Sequence, residues 1–240
     1  MNCKVMGIVN VTPDSFSDGG QFFRPEEAVR RAKNLIADGA DIIDLGGEST
    51  RPGATPLGWE EEWSRIEPVL SRLTANSQRL TALVSVDTYH PETAERAIKA
   101  GAHIINCVYA EPIPEMLKLI EDTDVELVMP ASAFPANCQL PTANCYLDPM
   151  IGFGTTREED IELLRSIPEL AKKGRVLVGA SRKRIVKKLV GEKSAVGKNI
   201  GGNVAIAVWA AMSGASVVRV HDVRETVQAL RVIGNLKSDV

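Results

Sequence analysis

Residues 80–108 read LTALVSVDTYHPETAERAIKAGAHIINCV, and they decide the fold. The first apolar run, 80–87, is rich in Val and Leu and alternates little, which is typical of a strand covered on both faces in a parallel sheet. A proline begins the helix predicted over 91–100, and Gly101 suits its C-terminal cap. A second strand is predicted at 103–108. The stretch therefore reads as one strand–helix–strand unit with parallel strands.

The same unit recurs along the 240-residue chain. Strands are predicted at 4–10, 41–47, 80–87, 103–108, 125–130, 144–149, 175–181 and 216–222. Helices are predicted at about 25–38, 60–74, 91–100, 112–121, 157–173, 183–191, 202–213 and 223–235. Strict alternation of eight strands with helices favours a TIM (β/α)8 barrel over a doubly wound sheet. Because no linker, repeat or low-complexity tract interrupts it, residues 1–240 are predicted to form a single domain.

One connection departs from this pattern. Between the fifth and sixth strands the chain reads PASAFPANCQLPTANCY from Pro130 to Tyr146, with further prolines at 135 and 141. Proline removes a backbone donor and prevents a regular helix of normal length. The barrel is therefore predicted to lack a regular fifth helix, with an extended or irregular connection in its place.

The composition excludes several classes of protein. Hydrophobic residues make up 44% and charged residues 25%, and 28 Lys+Arg against 31 Asp+Glu leave a net charge of −3. This balance argues against a partner such as nucleic acid or an anionic membrane surface. The sequence shows no signal-peptide pattern and no apolar run long enough for a membrane span. Four cysteines without a C-x-x-C pair indicate reduced thiols in a cytoplasmic protein.

Polar and ionisable residues follow the predicted strands at one end of the barrel, where the active site of this fold lies. They include Asn10, Asp44, Arg51, Asp87, Asn106, Asp148, Ser181, Lys183, Arg219 and His221. The carboxylates and the amide can pair with a flat heterocycle that carries ring N–H, amino and carbonyl groups, and Lys183 adds a cation. Asn10, Arg51, Arg219 and His221 supply donors and positive charge suited to phosphate or diphosphate. The set therefore predicts a polar aromatic ring joined to a phosphate leaving group.

Two loops carry a resemblance to a known family. GIVNVTPDSFSDGG (7–20) and GGESTRPG (46–53) closely resemble the signature loops of dihydropteroate synthases. Further matches are Asp87-Thr88-Tyr89, Asp148-Pro149, Ile151-Gly152-Phe153-Gly154, Ser181-Arg182-Lys183 and the stretch from Val218 to Val223. The resemblance covers nearly the whole chain. It implies a transferase that joins 4-aminobenzoate to 6-hydroxymethyl-7,8-dihydropterin diphosphate, which forms 7,8-dihydropteroate and releases diphosphate.

The resemblance also implies roles for single residues. Asp87, Asn106, Asp148 and Lys183 would bind the pterin, and Arg219 would stack on it. Asn10, Arg219 and His221 would hold the diphosphate, with Mg²⁺ at Asn10. Asp14 and Arg51, in the two loops, would assist its departure. Thr50, Pro52 and Ser181 would shape the aminobenzoate pocket. Asp87, Lys183, Arg219, Asp14 and Arg51 form the implied catalytic set, and the family is typically a homodimer.

The chain departs from the family pattern around strands four to six. Cys107 and Pro130 replace the family's Asp and His, and Met150 and Thr155 replace Gly and Lys in the motif after strand six. If the Gly position has positive φ, Met150 costs about 1 kcal/mol. A degenerate homologue that binds a pterin without turnover is therefore the alternative to an active enzyme.

Overall fold

The computed structural model describes residues 2–12, 24–48, 56–75, 81–134, 144–191 and 199–237. Eight parallel strands close into a barrel in which each strand pairs with its neighbours in chain order and β8 pairs with β1. The strands are β1 (Lys4–Asn10), β2 (Ile42–Gly46), β3 (Leu83–Asp87), β4 (Ile104–Asn106), β5 (Glu126–Pro130), β6 (Cys145–Asp148), β7 (Arg175–Val178) and β8 (Val217–Val220). This is the predicted TIM (β/α)8 barrel.

Helices surround the barrel. They are α1 (Pro25–Ala37), α2 (Trp59–Thr74), α3 (Pro91–Lys99), α4 (Ile113–Ile120), α5 (Arg157–Arg165), α6 (Ile167–Ala171), α7 (Arg184–Val190), α8 (Ile200–Met212) and α9 (Val223–Lys237). None within the described ranges is both long and apolar enough to cross a membrane.

The single helix predicted over 157–173 is wrong, because the structure divides it into α5 and α6 at Ser166. Pro168 has no N–H to donate to the carbonyl of Leu164, so the regular helix cannot continue through it. The indole of Trp209 on α8 donates to that carbonyl instead. Helix α6 then ends at Ala171.

The barrel has two apolar layers, which explains why its strands alternate little. Inside it, one cluster of fully buried residues fills the centre: Met6, Ile42, Ile104, Val128, Tyr146, Leu177 and Val217. A larger cluster lies between the outer face of the sheet and the helices. Strands with apolar neighbours on both faces need apolar residues at nearly every position. The polar residues are consequently confined to the ends of the barrel.

The fifth connection is short. It joins Pro130, the last residue of β5, to β6, which begins at Cys145. Its described residues contain one 3₁₀ turn, Ala131–Ala133, and residues 135–143 lie outside the described part. Pro130 is paired with Asp148 of β6 across the two strands. The described residues of this connection therefore agree with the predicted lack of a regular fifth helix.

Candidate active site

The C-terminal ends of the strands, called here the mouth of the barrel, carry a layer of polar side chains. Asn10 of β1 is paired with Gly46 of β2, Gly46 with Asp87 of β3, and Asp87 with Asn106 of β4. Residues paired across parallel strands point to the same face of a sheet. Asn10, Asp87 and Asn106 therefore share one layer on the inside of the barrel, as predicted from their positions at the strand ends.

Arg219 of β8 links two carboxylates across this mouth. Its Nε donates to Asp44 Oδ2 at 2.6 Å, and its Nη2 donates to Asp87 Oδ2 at 2.6 Å. Asp44 is fully buried, one layer deeper in β2 than the end of the strand. Asn106 Nδ2 donates to the same Asp44 oxygen at 3.2 Å. The guanidinium is therefore fixed from two sides by carboxylates, of which Asp44 also accepts from Asn106.

Burial and charge set the protonation of this cluster. Burial raises the pKa of Asp87 to about 7, the Arg219 guanidinium opposes this rise, and Asp44 and Glu62 add to it. Burial acts to lower the pKa of Arg219, yet Asp44 and Asp87 together raise it above its usual value. Arg219 is therefore a permanent cation, while Asp87 takes up or loses a proton near neutral pH.

Lys183 follows β7 and lies directly before α7, and its side chain contacts the turn that follows β6. Its Nζ donates to the carbonyl of Ile151 at 2.6 Å and lies 4.2 Å from the centre of the Phe153 ring. Burial lowers the pKa of Lys183 to about 8, although Asp148 opposes this effect. Burial also raises the pKa of Asp148, whose Oδ1 accepts the backbone N–H of Met150 at 2.7 Å. This side of the mouth thus combines a buried acid with a cation that titrates near neutral pH.

Met150 has positive φ, 65°, so the condition under which it costs stability is met. Its backbone N–H is the donor to Asp148, so the strained residue orients a carboxylate of the mouth. The side chain of Met150 lines a groove together with Asp148, Ala131, Leu163 and Leu170, among others. This groove lies where β5 and β6 end beside α5 and α6.

Ser181 and His221 are paired at the ends of β7 and β8. Ser181 Oγ lies 3.1 Å from His221 Nδ1, and the backbone N–H of His221 donates to that same oxygen. The hydroxyl has one proton and two lone pairs, so this pair is compatible with either tautomer of the neutral ring. Burial lowers the pKa of His221 to about 4, and Arg182 and Arg219 lower it further. The imidazole of His221 is therefore neutral at neutral pH.

Four predicted site residues cannot be placed. Asp14, Thr50, Arg51 and Pro52 lie outside the described residues. The remaining eight, from Asn10 to His221, occur at or just after the C-terminal ends of β1, β3, β4, β6, β7 and β8.

Asp44 is the residue that the predicted roles omitted. Its signal is its position two residues after Ile42 in β2, which gives it the inward orientation of that core residue. Asp44 Oδ1 and Asn106 Oδ1 are buried and have no hydrogen-bond partner among the described residues. Buried acceptors are normally satisfied, so the floor of the mouth can accept N–H donors from a ligand. A ring with several N–H groups fits that requirement.

The barrel and its acid-lined mouth define a class of protein. The sequence profile of the family described as pterin binding enzyme matches residues 6–140 and 135–221. The chain belongs to this family.

Within it, the similar proteins are dihydropteroate synthases. The chain is 36% identical to that of Staphylococcus haemolyticus over 259 residues, which covers 98% of this chain and 96% of the relative. It is 38% identical to that of Escherichia coli K12 over 258 residues, with 95% and 90% coverage.

Solved structures of dihydropteroate synthases are also similar to the chain. Xanthomonas albilineans dihydropteroate synthase with 4-aminobenzoic acid superposes with a TM-score of 0.87 at 39% identity, covering 98% of this chain and 93% of that one. The complex of that enzyme with 7,8-dihydropteroate gives a TM-score of 0.83 at 35% identity, with 98% and 94% coverage.

Proposed function

We propose that the protein is an active dihydropteroate synthase. It joins 4-aminobenzoate to 6-hydroxymethyl-7,8-dihydropterin diphosphate and forms 7,8-dihydropteroate and diphosphate, a step in folate synthesis. The observation that carries the proposal is the buried guanidinium of Arg219, held between Asp44 and Asp87 at the mouth of the barrel. The sequence relatives, named as this enzyme over nearly their full length, support it.

The pterin ring is bound by the acids and the amide of the mouth. Asp87, Asn106 and Asp148 accept its N–H and amino groups, and Lys183 donates to a ring carbonyl or nitrogen. The guanidinium plane of Arg219 stacks on the ring, a contact that a planar cation makes well.

The diphosphate is bound at the cationic corner. Arg219 supplies charge, and the neutral His221 supplies an Nε2–H donor in the tautomer whose Nδ1 accepts from Ser181. Asn10 contributes one amide oxygen at the end of β1.

Mg²⁺ is part of the proposal. Among the described residues no three His, Cys, Asp or Glu side chains lie close enough together to bind a metal ion. One amide oxygen fits Mg²⁺, which commonly keeps waters and binds few protein oxygens plus substrate phosphates. Mg²⁺ bound through Asn10 would neutralise charge on the leaving diphosphate.

The reaction breaks the bond between the pterin CH₂ and the diphosphate oxygen, and the electron pair leaves with the diphosphate. The positive charge on the CH₂ is delocalised into the ring, where the ionised Asp87 stabilises it. The amino nitrogen of 4-aminobenzoate then forms the new C–N bond and loses a proton. Asp14 and Arg51 assist departure, while Thr50, Pro52 and Ser181 shape the aminobenzoate pocket. Each preorganised group contributes about 2–4 kcal/mol.

A homodimer is part of the proposal. Six large apolar side chains on three neighbouring helices are exposed: Leu189 on α7; Ile200, Trp209 and Met212 on α8; Val232 and Leu236 on α9. We infer that these residues contribute to one apolar face, since α8 packs against both α7 and α9. A contiguous apolar face marks an interface, and a second copy is the commonest partner.

We also infer a cytoplasmic protein, since the Cys3 and Cys107 side chains are free thiols.

A product assay tests the proposal. Purified protein is incubated with the pterin diphosphate, 4-aminobenzoate and Mg²⁺, and dihydropteroate and diphosphate are both quantified. We expect equal amounts of the two products from the wild type and at least a hundredfold loss in Asp87→Asn. Glu95→Gln, which removes an exposed carboxylate on α3, is the control and retains wild-type rates. Folded protein that binds the pterin diphosphate and forms no product would establish the degenerate homologue instead.

A further inference from the structure

The turn over residues 150–154 makes three contacts with one side chain, Lys183. The carbonyl of Ile151 accepts from Lys183 Nζ, and the ring of Phe153 lies beneath the same ammonium group. Between them, a Cβ added at Gly152 would lie 2.9 Å from Lys183 Cδ, so this backbone passes directly against the lysine stem. Any displacement of the turn therefore displaces the ammonium group.

The turn itself is fixed by helix α5. Asp160 Oδ1 accepts the backbone N–H of Gly152 at 2.7 Å and the hydroxyl of Thr155 at 2.6 Å. The hydroxyl oxygen of Thr155 also lies 3.1 Å from the Gly152 nitrogen. Asp160 is only 2% exposed, so these bonds form away from water. Hydrogen bonds to a buried carboxylate are among the stronger ones in proteins.

Asp160 also acts on Lys183 through its charge. Burial lowers the pKa of Lys183, and Arg219 of β8 lowers it further. Three carboxylates oppose them from different elements: Asp148 of β6, Asp160 of α5 and Asp87 of β3. Asp160 is the one of these three that lies on a helix outside the barrel wall. It can therefore favour the charged lysine without occupying the ligand pocket.

We propose that Thr155 and Asp160 are positioning residues for Lys183. Through the Ile151–Gly152 backbone they fix where its ammonium group meets the pterin, and the Asp160 carboxylate helps to keep that group protonated. The inference rests on the proposed function, in which Lys183 donates to the pterin. It assigns a purpose to two polar residues beyond the mouth of the barrel.

Two variants separate position from charge. Both hydrogen bonds end on a single oxygen of Asp160, so Asp160→Asn can keep them through its amide oxygen while it loses the charge. Thr155→Val keeps the charge and the shape of the side chain and loses the hydroxyl. Glu158→Gln is the matched control, since it removes an exposed carboxylate from the first turn of the same helix, where Glu158 pairs with Lys188.

The first measurement needs no ligand. Lysine labelled with ¹³C at Cε is titrated by NMR in the free protein, and the Lys183 signal is assigned by its loss in Lys183→Arg. We expect the wild-type signal to titrate near the pKa of about 8. Asp160→Asn is expected to titrate about half a pH unit lower. Glu158→Gln is expected to match the wild type.

The second measurement is steady-state turnover. At pH 7.5 we expect Thr155→Val to raise the KM for the pterin diphosphate about tenfold, equivalent to ~1.4 kcal/mol, with a smaller change in kcat. At pH 6.5 the KM of Asp160→Asn is expected to be close to that of the wild type. As the pH increases, its KM should begin to rise about half a pH unit earlier than that of the wild type, because Lys183 loses its proton earlier. A purely structural role for Asp160 would lower the thermal midpoint without moving this pH profile.

The proposal requires both effects. An unchanged Lys183 titration in Asp160→Asn overturns it, and so does an unchanged KM in Thr155→Val. If the wild type forms no dihydropteroate, the proposed function fails, and the lysine titration alone then decides the positioning role. The two failures are thus distinguishable.

Discussion

Asp44 and Arg219 are 175 residues apart in sequence, and the barrel brings Asp44 Oδ2 to 2.6 Å from Arg219 Nε. Asp87 binds the other side of the same guanidinium. Two carboxylates therefore share one cation at the mouth of the barrel. The arrangement fixes the plane of the guanidinium before a ligand arrives, which is the kind of preorganisation that a stacking contact needs.

Removal of the Arg219 guanidinium or of the Asp44 charge tests whether the two carboxylates share this cation. We expect Arg219→Met to lower the free energy of unfolding at pH 8 by about 3–5 kcal/mol, because it leaves two buried carboxylates without their cation. Asp44→Asn is expected to cost less, since Arg219 keeps Asp87. The deficit of Arg219→Met should shrink at pH 5, where Asp87, whose pKa burial raises to about 7, is protonated. Urea unfolding at both pH values measures this, and equal losses in the two variants would contradict it.

A bell-shaped pH dependence of kcat/KM follows from the two groups that titrate near neutrality. Asp87 becomes ionised above its pKa of about 7, and Lys183 loses its proton above its pKa of about 8. We expect the maximum of kcat/KM between these two pH values. Because the groups interact, the pKa values obtained from the profile describe the coupled groups together. Lys183→Arg should extend the basic limb to higher pH, because arginine does not titrate there. A basic limb that is identical in both proteins would refute the role of Lys183.

The barrel could be predicted from sequence because its signals are local. Runs of Val, Ile and Leu mark strands with two buried faces, and proline or glycine marks the helix ends. The break at Ser166 was missed although Pro168 signals it. In both cases the relevant information lies within a few residues.

The site could be predicted only in part. Asp87 and Asn106 are the last residues of their strands, so a rule based on strand ends finds them. Asp44 lies two residues before the end of β2 and is among the polar residues that this rule finds, but no role is predicted for it. The pairing of Arg219 with two acids depends on the register of the closed barrel, which sequence does not state. Predictions for Asp14 and Arg51 stay predictions, since both lie outside the described residues.

The lowered pKa of His221 predicts that the folded protein loses stability in acid. Its pKa is about 4 in the folded protein, against an ordinary value of 6.5. As pH falls from about 6.5 towards 4, the unfolded chain takes up a proton that the folded protein does not, so stability decreases. His221→Gln keeps an acceptor for Ser181 and cannot titrate. We expect its thermal midpoint to fall less than that of the wild type over this range. If the thermal midpoints of the wild type and His221→Gln fell equally with pH, this would contradict the assignment of a buried neutral imidazole.

Met150 and Arg182 both have positive φ, 65° and 61°. We expect Met150→Gly to raise the free energy of unfolding by about 0.5–1 kcal/mol, because relief of the left-handed strain exceeds the added entropy of the unfolded chain. Arg182→Gly relieves the same strain and removes the ion pair with Asp222, so it is expected to gain less or to lose stability. Urea unfolding of both variants provides the comparison. A loss in Met150→Gly would show that its side chain stabilises the groove more than its backbone costs.

The apolar face on α7, α8 and α9 predicts a dimer that single charges can dissociate. Leu236 is 69% exposed, so glutamate at this position removes no buried contact from the protomer core. At a buried interface the carboxylate would lose its solvation without a partner. We expect light scattering after gel filtration to give two chains for the wild type and one for Leu236→Glu. Tyr109→Ser, which alters an exposed aromatic residue on another part of the surface, is expected to stay dimeric. A monomeric wild type at micromolar concentration would refute the proposed interface.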